Sequence, residues 1–148
     1  MKCVIKRFDD LTINELYAIM HLRFEVFVIE QACLYQDIDG KDKKSYHLMC
    51  TNASGDLVGY LRILDAGVSY DEVSIGRVVV SEKGRGLGIG RRIMEEAIAF
   101  IKTVKQGDRV RISAQAYLLE FYKSLGFDQV SEVYLEDDIP HIEMLLKL

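Results

Sequence analysis

The sequence predicts an α/β fold, α+β in character, with a mixed central sheet flanked by helices, and three observations carry that prediction. The run Val78-Val79-Val80 enters a turn with glycine at every second position from Gly84 to Gly90. It leaves as an amphipathic helix, with Ile93, Met94, Ala97, Ile98 and Ile101 on one side and Glu95, Glu96 and Lys102 on the other. After that helix comes a short β-branched stretch, residues 110–113, which completes a βαβ crossover; such a crossover is right-handed and sets its two strands parallel. Elsewhere apolar stretches flank hairpin-length turns at residues 52–56 and 136–140, so those strands pair antiparallel. At 148 residues the chain fits a single domain, residues 1–148, that buries roughly 68–70% of its unfolded surface.

The elements follow in order. Residues 4–8 read as a strand. Thr12 then opens a helix, Glu15 completing a capping box and Leu11 with Leu16 placed as a hydrophobic staple. Leu16, Ile19, Met20, Phe24 and Phe27 recur at helical spacing and are assigned to the core. From Gln31 to Tyr46 the chain is polar and acidic without a period, and a loop of that length is functional or disordered as a rule. Residues 47–51 and 57–64 form a hairpin, and 65–72 a second loop. Residues 73–80 form the strand that feeds the glycine loop, its Gly76 marking a bulge or a close approach to the backbone. A helix over 91–104 leads to the strand at 110–113. A last helix over 117–125 is closed by Gly126 as a C-terminal cap, before strands at 130–135 and 141–146.

Composition excludes several function classes. A formal net charge of −4 gives no long-range pull toward nucleic acid or anionic membranes. No stretch approaches the roughly 18 apolar residues of a membrane span. Residues 1–7 reach charges before any long apolar run, so no secretory leader is expected. Cys3, Cys33 and Cys50 are odd in number and contain no C-x-x-C pair. They are expected to be reduced thiols of a cytoplasmic protein, with neither a disulfide frame nor a metal site. Cys33, in the long loop, stands behind the other candidates for catalysis.

Strand, glycine loop and helix place bare N–H groups and a helix N-terminus around a phosphate. Spacing narrows the ligand. A dinucleotide G-x-G-x-x-G fails, because Ile89 stands three residues after Gly86 and Arg91 three after Gly88; a P-loop fails, because Ile89 stands five after Gly84 and no Lys-Ser or Lys-Thr follows. What remains is R-x-x-G-x-G, filled by Arg85, Gly88 and Gly90. A merely flexible turn is the competing reading, and charge placement opposes it. Arg91 and Arg92 in the first helical turn, with Arg85 just upstream, work against the macrodipole at roughly 0.3–1 kcal/mol each. A bound pyrophosphate reverses the sign of that interaction.

The R-x-x-G-x-G loop resembles the pyrophosphate loop of the GNAT N-acetyltransferase superfamily, and the element order β-α-β-β-β-α-β-α-β-β is similar to that fold over the whole chain. Residues 23–31 and 35–42, Ala114-Gln115-Ala116 and Ile139-Pro140-His141-Ile142 resemble the ElaA-like branch of the superfamily, apart from Leu34 in place of its proline and Tyr117 in place of its histidine. The resemblance implies acetyl-CoA as cosubstrate, its pyrophosphate over Arg85, Gly86, Leu87, Gly88, Ile89, Gly90 and Arg91. It implies a pantetheine arm between two splayed strands along Val78, Val79 and Val80, with backbone groups of Val78 and Val80 bonding the arm and the thioester carbonyl, an oxyanion-hole type of stabilisation. It also implies a role for Tyr122, within Phe121-Tyr122-Lys123-Ser124-Leu125-Gly126-Phe127, similar to the superfamily's F-Y-x-x-x-G-F, as general acid toward the coenzyme A thiolate.

Leu118, Phe121, Tyr122 and Leu125 also make an apolar stripe, so Tyr122 is a core residue on the competing reading; ring packing and a reaching hydroxyl are compatible. Moving a proton from tyrosine, pKa about 10, to a thiolate of pKa about 8.5 is uphill by roughly 2 kcal/mol. Freeing the lone pair of an amine of pKa about 10.4 at pH 7 costs about 4.6 kcal/mol. A general base would help, and Glu30, His47 and His141 are candidates, His141 first. The bland alternatives are an arginine partner for Glu30 and structural roles for the histidines. Asp37, Asp39 and Asp42 attract a cationic amine on one reading and are solvated surface on another. Arg23, Arg62 and Arg77, inside apolar segments, call for carboxylate partners, and Arg77 alternatively faces the ligand. The expected function is acetyl transfer from acetyl-CoA by direct attack of a primary amine. A catalytically idle acyl-CoA-binding or sensing module, acyl transfer to a specialised amine as in the autoinducer synthases, and an acyltransferase with a longer acyl donor stay open, as does a homodimer.

Overall fold

The computed structural model describes residues 1–104 and 107–148. Four strands, β1 (Lys2–Arg7), β2 (Ser45–Thr51), β3 (Leu57–Leu64) and β4 (Val73–Val80), pair antiparallel in sequence order. Helix α1 (Ile13–Arg23) lies between β1 and β2, and α2 (Ile89–Val104) carries the crossover from β4 to the parallel strand β5 (Arg109–Gln115). A short α3 (Leu119–Ser124) precedes β6 (Asp128–Gln129), β7 (Tyr134–Glu136) and the long β8 (Ile139–Lys147), which pairs antiparallel with β5. The sheet order is β1-β2-β3-β4-β5-β8-β6, with β7 in a hairpin against β8. The mixed, helix-flanked sheet is the fold class the sequence predicts.

Each face of the sheet buries one apolar stripe. Ile93, Met94, Ala97 and Ile101 of α2 pack with Leu61, Ile63, Val110 and Ile112. Ile19 and Leu22 of α1 pack with Met49, Tyr60 and Val79 on the other face. Each such aliphatic side chain contributes roughly 1.5–3 kcal/mol of transfer free energy. The Thr12 capping box forms in both directions.

Four expectations change. Phe24 is 56% exposed, not core, because the chain widens at Phe24–Glu30 into a π-helical stretch that turns Val26 inward instead. The strand expected over 130–135 forms only at its end, where β7 begins at Tyr134; residues 130–133 lie outside any strand, and β6 precedes them. Ser131 Oγ accepts the N–H of Glu143 there, taking the place of a ladder carbonyl, and Val130 and Val133 are left exposed. The hairpin turn is just Asp137-Asp138, both at positive φ, as two-residue hairpins require. Cys3 and Cys50 are not free thiols: they face each other across β1 and β2 and are joined as a disulfide, which leaves Cys33 free. Strand register, invisible in sequence spacing, brings them together. The cysteines therefore give no argument for a reducing compartment. No helix among the described residues is long and apolar enough to cross a membrane.

The long polar loop is neither solvated surface nor an open attractant for cations. Its Asp37, Asp39 and Asp42 are matched by Arg23, Arg62 and Arg77. Arg23, with no exposed surface, donates to Asp37 Oδ2 at 2.9 Å, to Asp42 Oδ1 at 2.6 Å and to the Asp37 carbonyl at 3.0 Å. Arg62 donates to Asp39 at 2.6 and 2.8 Å and to Asp42 at 2.9 Å. Arg77 donates to Asp37 Oδ1 at 2.7 Å. Burial works against the charges of Asp39 and Asp42, yet the arginine hydrogen bonds outweigh it and hold both carboxyls below the usual carboxylate range.

Removing one partner of a buried ion pair strands the other. Asp42→Ala is expected to lose about 3–5 kcal/mol in urea denaturation; a loss under about 1 kcal/mol, the scale of an exposed pair, contradicts the assignment. Because the folded carboxyls sit below their unfolded values, their stabilisation is complete above about pH 4 and fades as pH falls through the folded values. The acid-induced loss of stability is therefore smaller in Asp42→Ala than in the parent.

Candidate functional site

Strand β4 meets β5 at only two positions, Val73↔Val110 and Ser74↔Arg111, after which the strands splay. A bulge on the β3 side accompanies the splay. Between Tyr60↔Val79 and Arg62↔Gly76 there is one residue on β3 but two on β4, and Arg77 takes a left-handed φ of 53°. The bulge falls directly after Gly76, where the sequence marks one. The gap between β4 and β5 opens into a cleft of about 560 Å³.

Val78, Val79, Val80, Arg85, Gly90, Tyr122 and His141 line this cleft. The Val79 side chain packs into the α1-side core while Val78 and Val80 turn toward α2. Beyond Ser74 the edge of β4 facing β5 has no ladder partner, so its backbone groups are available to a ligand.

After Val80 the chain makes a 3-10 turn, Glu82–Gly84, and reaches α2 at Ile89. Gly84 admits no side chain, because a Cβ would sit 2.8 Å from Ile89 Cδ1 and 3.0 Å from the Val58 carbonyl. Gly86 and Gly88 lie at φ of 78° and 73°, in the left-handed region. The N–H groups of Gly86, Leu87 and Gly88 have no carbonyl partner among the described residues, and those of Ile89 and Gly90 are first-turn donors of α2. That row of donors forms an anion-binding concavity.

Gly86, Leu87, Gly88, Ile89 and Arg91 do not line the cleft itself; they belong to the loop and helix start adjoining it. Ile89 is a core side chain, so it offers the ligand only its backbone. Leu87 is 72% exposed. Arg85 forms a two-point ion pair with Glu30, at 2.6 and 2.7 Å. Arg91 bonds Ser124 and pairs with Glu95, and Arg92 pairs with Glu96.

Tyr122 is 6% exposed and packs edge-on against Phe121 and Phe127, while bordering the cleft. Its hydroxyl makes no hydrogen bond among the described residues, and burial pushes the phenol well above its ordinary pKa. The packing and lining roles thus coexist in one ring. His141, 7% exposed, stands opposite Gln115 on β5 and stacks on Tyr134. Its Nδ1 donates to the Ile139 carbonyl at 2.6 Å, and Nε2 stands 3.3 Å from Glu136 Oε2.

The other two base candidates are spoken for. His47 is sealed in the core, Nδ1 2.7 Å from Tyr60 Oη and Nε2 2.9 Å from the Asp42 carbonyl, and burial pushes its pKa down. Glu30 lines the cleft, but the Arg85 guanidinium holds its carboxyl below the usual range. Ser113, Gln115 and Glu136 also border the cleft and escaped sequence reasoning as site residues, and Cys33, placed there behind the other candidates, borders it too. Alternation along β5 puts Ser113 and Gln115 on one face, but only the β5–β8 register sets them beside Glu143 and His141.

A family model described as an acetyltransferase (GNAT) domain matches residues 10–148. Protein ElaA of Escherichia coli is 43% identical over 137 residues, covering 92% of this chain and 90% of ElaA. The crystal structure of E. coli ElaA superposes with a TM-score of 0.90 at 39% identity, covering 99% of each chain. The crystal structure of an acyl-CoA N-acyltransferase from Pseudomonas aeruginosa superposes with a TM-score of 0.90 at 45% identity, also covering 99% of each chain.

Proposed function

The chain belongs to the GNAT acetyltransferase family, whose acyl donor is acetyl-CoA, and from that premise we propose that it transfers the acetyl group directly to a primary amine held on the β5–β8 side of the cleft. The observation that carries this reading is the junction of two unpaired backbone edges: the splayed edge of β4 and the row of free N–H groups from Gly86 to Gly90. The first suits an extended arm with amide groups, the second a pyrophosphate. Arg85 and Arg91 add charge at the same end, and each is held ready by an acidic or hydroxyl partner that a phosphate can replace.

The residues at the other end suit acyl transfer. In this reading the backbone N–H groups near Val78 and Val80 polarise the thioester carbonyl. Tyr122 stays protonated, and its raised pKa makes full proton transfer to a thiolate harder than the roughly 2 kcal/mol of an ordinary tyrosine. Its role is then that of a hydrogen-bond donor whose bond strengthens as sulfur gains charge. His141 has Nδ1 committed to a carbonyl, so its Nε2 is the nitrogen that can take a proton from the amine. Tyr122, a cleft-lining residue whose hydroxyl is unbonded among the described residues, favours an enzyme over an idle coenzyme-binding module. The direct test is thiol release from acetyl-CoA over a panel of primary amines; coenzyme binding without turnover on any amine would establish the idle module.

Valine cannot hold the left-handed backbone of Gly88 without strain, and its branches crowd the anion site. Gly88→Val is expected to weaken coenzyme binding at least about tenfold in calorimetry, and unchanged affinity would sink the site. Tyr122→Phe keeps the ring, so coenzyme binding should persist while turnover falls about 10- to 100-fold, the effect of losing one hydrogen bond to a charged group worth about 1.5–3 kcal/mol. Equal turnover at every pH would leave Tyr122 as packing alone. His141→Gln should abolish the acidic limb of the pH–rate profile, whereas Glu30→Gln and His47→Gln should retain it; three profiles matching the parent would exclude all three as bases.

A further inference from the structure

The ionic pairing of the cleft leaves one wall with a negative charge to spare. Glu30 is matched by Arg85, and Arg77 by Asp37. On the far wall Arg111, the guanidinium on the same face of β5 as Ser113 and Gln115, is committed to Glu72 and Glu143 at 3.0–3.1 Å. Two carboxylates that line the cleft, Asp137 and Glu136, have no arginine or lysine partner among the described residues, and of the two Glu136 is the one bonded into the wall. Its carboxylate, 49% exposed, meets His141 Nε2 at 3.3 Å and accepts from Ser113 Oγ at 3.3 Å, and that hydroxyl also bonds Tyr134. Burial raises the phenol of Tyr134, so it remains a neutral hydroxyl and supplies no charge of either sign.

Acyl transfer sharpens the imbalance. A nitrogen about to attack a thioester must be neutral, and a histidine about to accept its proton must be neutral as well. With both neutral, Glu136 faces the cleft with no counter-charge beside it. We propose that Glu136 is a specificity-determining residue, and that the acceptor is a diamine or polyamine: one nitrogen is acetylated while a second, still protonated, rests against Glu136. The carboxylate selects the cation, the Ser113 and Tyr134 hydroxyls orient the carboxylate, and His141 serves the reacting nitrogen. This inference rests on the acetyl-transfer reading above for its chemistry, but its charge logic is testable by binding alone.

The test compares 1,4-diaminobutane with n-butylamine, which has the same carbon chain and lacks the second charge, in the parent protein, Glu136→Gln and Glu136→Asp. The parent should prefer the diamine by about tenfold or more in kcat/KM, the equivalent of about 1.4 kcal/mol. Glu136→Gln should bring that ratio near one, chiefly through KM for the diamine, and Glu136→Asp should restore part of it. Any general effect of the substitution on turnover cancels in the ratio, and equal thermal midpoints exclude a folding defect. A diamine preference that survives Glu136→Gln, or is absent from the parent, overturns the inference and leaves the acetyl-transfer reading standing. If the parent turns over neither amine, that reading fails on its own, and calorimetry of 1,4-diaminobutane binding in the presence of coenzyme A decides the inference. Binding weakened about tenfold by Glu136→Gln supports it; binding that is equal or undetectable refutes it.

Discussion

Everything around the cleft depends on neutralising three guanidinium groups, two of them buried and the third, Arg77, half-buried at the cleft wall. Arg23 sits at the end of α1, Arg62 in the middle of β3 and Arg77 in β4, each inside an apolar segment where a bare charge is untenable. The loop over residues 31–44 supplies the remedy, bringing Asp37, Asp39 and Asp42 down onto them with several hydrogen bonds per arginine. Three charges meet three charges, so the network is neutral as a unit, and its members bridge α1, β3 and β4. That bridge carries consequences beyond stability. Arg77 is held in a left-handed conformation that a β-strand residue does not adopt freely, and its bond to Asp37 fixes that conformation. The resulting bulge bends β4 where its ladder with β5 ends.

The glycine loop solves an opposite problem. Its cations stand where a helix dipole disfavours them, and each has a local partner: Glu30 for Arg85, Glu95 for Arg91, Glu96 for Arg92. All of these pairs are substantially exposed, so each is weak and exchangeable, whereas those of Arg23 are not. The protein thus separates two kinds of ion pair. Sealed ones set the backbone, and open ones keep charge available at the place where an anion belongs.

How much of this the residues declared in advance follows from the range of the interactions. Strand β3, strand β4, the Thr12 capping box, the bulge after Gly76 and the face of α2 depend on neighbours within a few positions, and all were legible. So was the need of Arg23, Arg62 and Arg77 for carboxylates, though their partners looked like solvated loop. Phe24 was misplaced because a π-helical stretch breaks the period of 3.6 without a composition signal. The Cys3–Cys50 bridge and the β5–β8 wall were out of reach for a different reason: both are matters of register between strands far apart in sequence. The glycine loop could be read from local pattern, the splayed edge of β4 only through the family resemblance, and the acceptor half only as far as His141.

The division between the two halves also explains why one is chemically generic and the other selective. Along β4 and the glycine loop the proposed ligand would meet backbone N–H groups, which read an amide arm and a pyrophosphate whatever side chains stand nearby. Across the cleft the wall is side chains: Ser113 and Gln115 from β5, Tyr134 and Glu136 from β7, His141 from β8. The β5 and β8 positions alternate with core residues, as Val110, Ile112 and Ala114 on β5 and Ile142 on β8 show, and β7 lies outside the core with Leu135 exposed. On the proposed reading, a substitution at Ser113 or Glu136 changes what the cleft accepts without touching the packing behind it. The coenzyme half has no such freedom, because Gly84 is locked against Ile89 and Val58, and Gly86 and Gly88 are locked by φ. On the proposed reading, acceptor choice rests with the half of the site that tolerates change, and coenzyme binding with the half that does not.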